Sequence, residues 1–147
     1  MDYITQGRKA QALKDYDYTK ITKTYLKCYH DFKATIDNLK EEIEAQERIL
    51  NVGHAAPIAI REKIESKRHE VERIERVIRK VDRALEALTT KDRQLVEGFY
   101  LQHKTWKELS TEHYITEKWA RVTAGRVVKR MAGMIFGSEA LPFDRSM

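Results

Sequence analysis

The sequence predicts an all-α protein, with a long antiparallel, coiled-coil-like helical hairpin followed by a group of shorter helices. Three observations predict it. Two of the 147 residues are proline and six are glycine, while 35% are charged and 41% hydrophobic, a balance that suits long helices better than a β-sandwich. Apolar residues recur at alternating spacings of three and four through two long stretches. Hydroxyl residues and glycines stand where those stretches begin and end, as helix caps do.

Residues 1–17 are polar, with Arg8, Lys9 and Lys14 scattered among Tyr3 and Tyr16; a short helix and a loose arm fit equally well. From Asp17 onward, Tyr25, Tyr29, Phe32, Ile36, Leu39, Ile43 and Leu50 fall into step, with Gln46 in the one polar place. That is an a/d seam with a mean period near 3.5. Glu44 and Arg48 make an i,i+4 pair outside it. Asn51 to Pro57 reads as a loop, because Asn and Gly suit a helix end and Pro a helix start. A second seam follows in Ile60, Ile64, Lys67, Val71, Ile74, Ile78, Val81, Leu85 and Leu88. Lys67 is its one polar place and can snorkel. Glu72 with Arg76 and Glu75 with Arg79 decorate the flank. Two such helices joined by a short loop fold back on each other across 18–88. So narrow a seam is expected to pack on a second copy or on the C-terminal helices.

Thr89-Thr90 ends the seam, and Thr90 is the expected N-cap of the next helix. Leu95, Val96, Phe99, Tyr100 and Leu101 form its apolar side, and Gln102-His103-Lys104 makes a polar turn. Thr105 caps a helix of about eight residues from Trp106 to Glu112 or His113, with Glu108 completing a capping box. A tight turn at Tyr114-Ile115 leads to Thr116 and a helix that runs through Phe136 to Gly137. The tail, 138–147, contains Pro142 and reads as irregular.

The formal net charge is +5 and the isoelectric point about 9.3, which fits a polyanionic partner without requiring one. A lone cysteine, Cys28, rules out an intrachain disulfide and reads as a small core residue. No apolar run is long enough to span a bilayer, and the first residues lack a basic-then-apolar signal pattern. The expectation is a soluble protein of a reducing cytosol with no membrane partner.

The short helix, tight turn and basic helix within 89–137 form the one constellation with functional content. A helix-turn-helix needs a first helix that braces on the DNA backbone and a second whose early residues reach base edges. Trp106, Leu109 and Ile115 supply the buried side of such a unit, and Ala120, Val127, Val128 and Met131 the facing side. Lys118, Arg121, Arg126, Lys129 and Arg130 then point outward against a single acid, Glu117. The balance within 116–136 is five basic minus one acidic, or +4 of the chain's +5. Such residues neutralise phosphates, and Arg also binds guanine bidentately. Thr116 both caps the helix and can touch a phosphate, while Thr105 and Lys107 on the bracing helix join the candidate DNA-binding residues. The competing reading is a solvated basic helix in a bundle. Tyr114 and Trp106 read as core residues rather than base-stacking platforms.

These residues also carry a resemblance. The blocks Asp82 to Leu88, Asp92 to Val96, Phe99-Tyr100, Thr105-Trp106-Lys107-Glu108-Leu109, Tyr114 to Glu117, Lys129 to Ala132 and Phe136-Gly137 resemble the phage late transcriptional regulators of the ArpU/RinA type. The C-terminal domain of that family is similar to region four of primary sigma factors, which reads the −35 promoter element. The likeness covers residues 80–137 and is looser over the hairpin. It implies a sigma region four-like helix-turn-helix, double-stranded promoter DNA as partner, and activation of phage or prophage late genes. It places the start of the recognition helix on Thr116, Glu117, Lys118, Arg121 and Val122. The chain departs from the family pattern at Val122, Thr123 and Gly125, and at Trp119, which can pack, stack on sugar or meet a thymine methyl.

The five histidines have no ligand spacing, so neither a metal nor another cofactor is expected. No phosphate-binding glycine loop occurs, and the hairpin carboxylates are matched by basic neighbours, so no catalytic residue is assigned and no enzyme is expected. Host RNA polymerase and a second copy held through the hairpin are the remaining candidate partners. A packaging or architectural protein of small-terminase type, or a helical protein–protein adaptor, are the alternatives, although small terminases usually carry the DNA-binding unit first.

Overall fold

A computed structural model describes residues 18–53 and 57–137, and every regular element among them is helical. The expected arm at 1–17, with Arg8, Lys9 and Lys14, the tail at 138–147 and His54 to Ala56 lie outside the described residues. In chain order the elements are α1 (18–27), α2 (Tyr29–Val52), α3 (Pro57–Glu86), α4 (Thr90–Val96), a π-helical turn (Glu97–Leu101), α5 (Trp106–His113) and α6 (Glu117–Phe136). No helix among the described residues is long and apolar enough to cross a membrane. The chain divides into two compact units, one containing 28–79 and the other 18–27 together with 80–137.

In the unit of 28–79, α2 and α3 run antiparallel. Lys40 Nζ lies 3.7 Å from Glu75 Oε2. Seven residues further along α2 and seven back along α3, Glu47 pairs with Arg68. Between the helices Ile36, Ile43, Ile64 and Val71 are buried, with Leu39, Leu50, Ile60, Ile74 and Ile78 packed around them. These are seam positions, so the 3.5-residue period places one stripe of each helix against the other. Lys67, the polar place of the second seam, reaches past the seam to Glu42 with Nζ 3.0 Å from Oε2. α2 runs through Asn51 and Val52 because Gly53, at φ 77° and ψ 16°, takes the left-handed position and donates its N–H to Ile49 O and Leu50 O. Only glycine enters that region without a Cβ penalty, so Gly53 and not Asn51 sets the helix end. Pro57 opens α3, where its missing N–H costs no hydrogen bond.

The seam does not run unbroken to its first expected member. Cys28, half-buried, leaves the helix at φ −95° and ψ 5° and separates α1 from α2. Tyr25 belongs to the other unit, where its ring centroid lies 6.0 Å from that of Phe136. Tyr18 lies 5.0 Å from the same ring. Thr22 and Leu26 of α1 are fully buried, and the Thr22 hydroxyl donates to Tyr18 O at 2.7 Å.

The rest of that unit is built on α6. Both α4 and α5 pack against it. Leu95, Leu109, Ala120 and Ala124 form a buried cluster with Phe99, Trp106 and Ile115 at its edge. Val81, Ala84 and Leu85 from the end of α3, then Leu88, are also buried. Thr89 caps α4 by accepting from Asp92 N at 3.2 Å, one residue before the cap expected from the sequence. Thr89 is extended, at φ −64° and ψ 158°, and the extended member of a Ser/Thr pair is the one whose hydroxyl reaches the free N–H two or three residues on.

α4 then widens instead of ending. Gln102 N–H donates to Glu97 O at 2.9 Å, and Lys104 N–H donates to Gly98 O at 2.9 Å. The first of these spans five residues, the π-helical spacing. Arg93 Nε donates to Glu97 Oε1 at 2.6 Å, which raises the guanidinium pKa above its ordinary value. Tyr100 is buried here, and burial raises its phenol pKa.

Candidate nucleic-acid interface

The helix pair α5–α6 is framed by two threonine caps. Thr105, extended at φ −80° and ψ 160°, accepts from Glu108 N at 3.1 Å. Its hydroxyl in turn donates to Glu108 Oε1 at 3.2 Å. The expected capping box thus closes through the hydroxyl itself, with the carboxylate as acceptor. Thr116, at φ −73° and ψ 156°, accepts from Trp119 N at 3.0 Å. Each cap satisfies one orphan N–H and fixes the entry of its helix.

The turn between them is short because Tyr114 takes the left-handed conformation at φ 54° and ψ 42°. Its N–H and that of Ile115 both turn back onto Ser110 O, the latter at 3.0 Å. Ile115 folds inward against the Leu109 cluster, the hydrophobic contact that accompanies such helix ends. Tyr114 itself is 94% exposed, which corrects its expected place in the core.

α6 presents one face to its unit and one to solvent. Ala120, Ala124, Val127, Val128 and Met131 are buried. Lys118, Arg121, Arg126, Lys129 and Arg130 are all exposed, as is Glu117. Val122, 47% exposed, and Trp119, 52% exposed, lie among these cations. On α5, Thr105 and Lys107 are exposed, and the Lys107 carbonyl accepts from the hydroxyls of Ser110 and Thr111 at 2.8 and 3.1 Å. Every candidate DNA-binding residue is therefore solvent-accessible, on two consecutive helices.

Two aromatic residues organise this surface. The Phe99 and Trp106 rings stack at 3.9 Å with 13° between their planes, and Arg121 Cζ lies over the Trp106 ring, 6.0 Å from its centroid. The π-helical turn, the start of α5 and the first half of α6 meet in that stack. Arg126 Cζ lies 5.4 Å from the Trp119 ring centroid. Contacts of this kind hold a guanidinium in place and leave its N–H groups free to donate. Trp106 is half-buried and so acts at the edge of the surface as well as in the core. Sequence periodicity marks it as apolar-facing; no sequence signal reveals its stack with Phe99.

No family model matches this sequence, and none of the curated proteins or solved structures compared with it does.

Proposed function

We propose that the protein is a sequence-specific DNA-binding transcriptional regulator, an activator of phage or prophage late genes, in which α5, the Tyr114 turn and α6 act as a sigma region four-like helix-turn-helix. On this reading α6 is the recognition helix and α5 braces on the phosphate backbone through Thr105 and Lys107. The α2–α3 pair is a coiled-coil-like hairpin that supplies self-association or a contact with host RNA polymerase. One observation carries the reading: the solvent face of α6 holds five cations against a single acid at its first residue. A helix with that charge balance suits a polyanion, and the short left-handed turn before it leaves its N-terminal half accessible.

The test is selection of bound fragments from random and prophage-derived double-stranded DNA pools, followed by affinity against salt for the winner. A defined motif bound about 10³-fold or more above bulk DNA is expected. Changing Lys118 and Arg121 together to Ala should abolish that preference without changing helical content. A steep salt dependence with no motif would favour a packaging or architectural protein. Retention of the preference by the double variant would remove α6 as the recognition element.

A further inference from the structure

Gly125 is the ninth residue of α6 and lies on its solvent face. Apart from its two chain neighbours, no side chain and no other backbone segment among the described residues comes within 4 Å of the point a Cβ would occupy. The protein's own packing therefore does not require a glycine there. The other described glycines differ: Gly53 and Gly137 have positive φ, a Cβ on Gly98 would collide with Leu109, and Gly133 is buried. A glycine inside an exposed helix lowers helix stability, and one use that offsets this is close approach of another chain's backbone. Helical spacing places Lys118, Arg121, Val122 and Lys129 at seven, four and three residues before it and four after, so they surround it on one face. The approaching backbone thus meets a bare helix floor between cations, and α6 has no acid beyond Glu117.

We infer that Gly125 is where α6 comes closest to a strand of double-stranded DNA, its missing side chain letting the sugar–phosphate backbone seat between Arg121 and Lys129. The inference rests on the DNA-binding reading above and adds to it a contact made by the absence of a side chain. The charge of the surrounding face selects a phosphate chain over a polypeptide as the occupant. The closest approach brings the Lys129 ammonium within direct reach of phosphate oxygens, where a Cβ would hold the strand off.

The experiment compares the full chain with Gly125→Ala on the duplex that selection yields, measuring Kd at fixed salt together with Tm. The substitution should raise Tm by a few degrees, about 2–4 °C for a domain of this size. It should weaken binding about tenfold or more, the loss of one charge-assisted hydrogen bond. Unchanged or tighter binding by Gly125→Ala would overturn the inference, and so would a lowered Tm, since the Cβ would then be clashing within the protein. If the unmodified chain binds no duplex at all, the DNA-binding reading itself has failed, and the two failures are told apart by that first measurement.

Discussion

A Cβ on Gly98 would lie 2.7 Å from Cδ2 of Leu109, so the π-helical turn rests directly on the core of the α5–α6 pair. Leu109 is fully buried, so its methyl shifts only by displacing packed neighbours. Gly98→Ala is therefore expected to destabilise the protein by about 1–3 kcal/mol through overpacking, measured by urea unfolding. In a double-mutant cycle, Leu109→Ala should cost less in the Gly98→Ala background than alone; strict additivity would mean the two residues do not touch.

Tyr114 bears the opposite kind of strain. Its backbone is left-handed, which costs a residue with a Cβ about 1–2 kcal/mol, and its exposed ring gains almost no packing in return. Tyr114→Gly should stabilise the fold by about 1 kcal/mol, seen as a higher Tm. A loss of stability would show that the ring makes a contact worth more than the strain. If the variant is more stable yet binds the selected duplex more weakly, the tyrosine has a role outside the free protein.

Thr116 ties local structure to the proposed interface. Thr116→Ala should lower stability by about 1 kcal/mol by orphaning the Trp119 N–H, and Thr116→Ser should restore it. The readout is thermal unfolding of the three proteins side by side. Equal stability for all three would mean that the cap hydrogen bond contributes nothing.

Gln46 and Lys67, the polar exceptions of the two seams, lie close in level on the α2–α3 pair: the register of the Lys40–Glu75 and Glu47–Arg68 ion pairs sets Gln46 opposite His69, two residues from Lys67. Lys67 finds Glu42, whereas Gln46 Oε1 is buried with no hydrogen-bond partner among the described residues. Gln46→Leu should stabilise by about 1–2 kcal/mol, because an unsatisfied buried acceptor is removed. Single polar layers in such seams also fix register and association state. Sedimentation of the variant against the parent checks this: a change in association accompanying the gain in stability identifies the layer as a specificity device.

What was legible in the sequence was what is decided within a few residues. Thr105 and Thr116 announce α5 and α6 because a cap needs only its own hydroxyl and an N–H two or three positions on. The alternation of exposed cations and buried Ala120, Val127, Val128 and Met131 follows from the 3.6-residue period. Where two neighbours had the same chemistry, as at Thr89 and Thr90, only the backbone conformation chose between them. The widening of α4 was not legible in the helix's own residue pattern, nor was the approach of Gly98 to Leu109, a contact across eleven residues and a turn. Tyr25 matched the seam by period but packs with Phe136, because periodicity identifies a buried face without identifying what covers it. Tyr114 fits no residue-type rule for a left-handed position; the demands of the α5 exit and of Ile115 settle it there.

Because 18–27 joins 80–137 in one unit, the segment 28–79 is an insertion within it, and the order of synthesis matters. α2 and α3 close through a short connection and can pair as soon as both have left the ribosome. α1 has to wait, since Phe136 follows Tyr18 by 118 positions. At about 5–20 residues per second that interval lasts roughly 6–24 s. Throughout it, Leu26, fully buried in the completed unit, lacks the later part of that unit, so the growing chain exposes apolar surface that the completed unit covers.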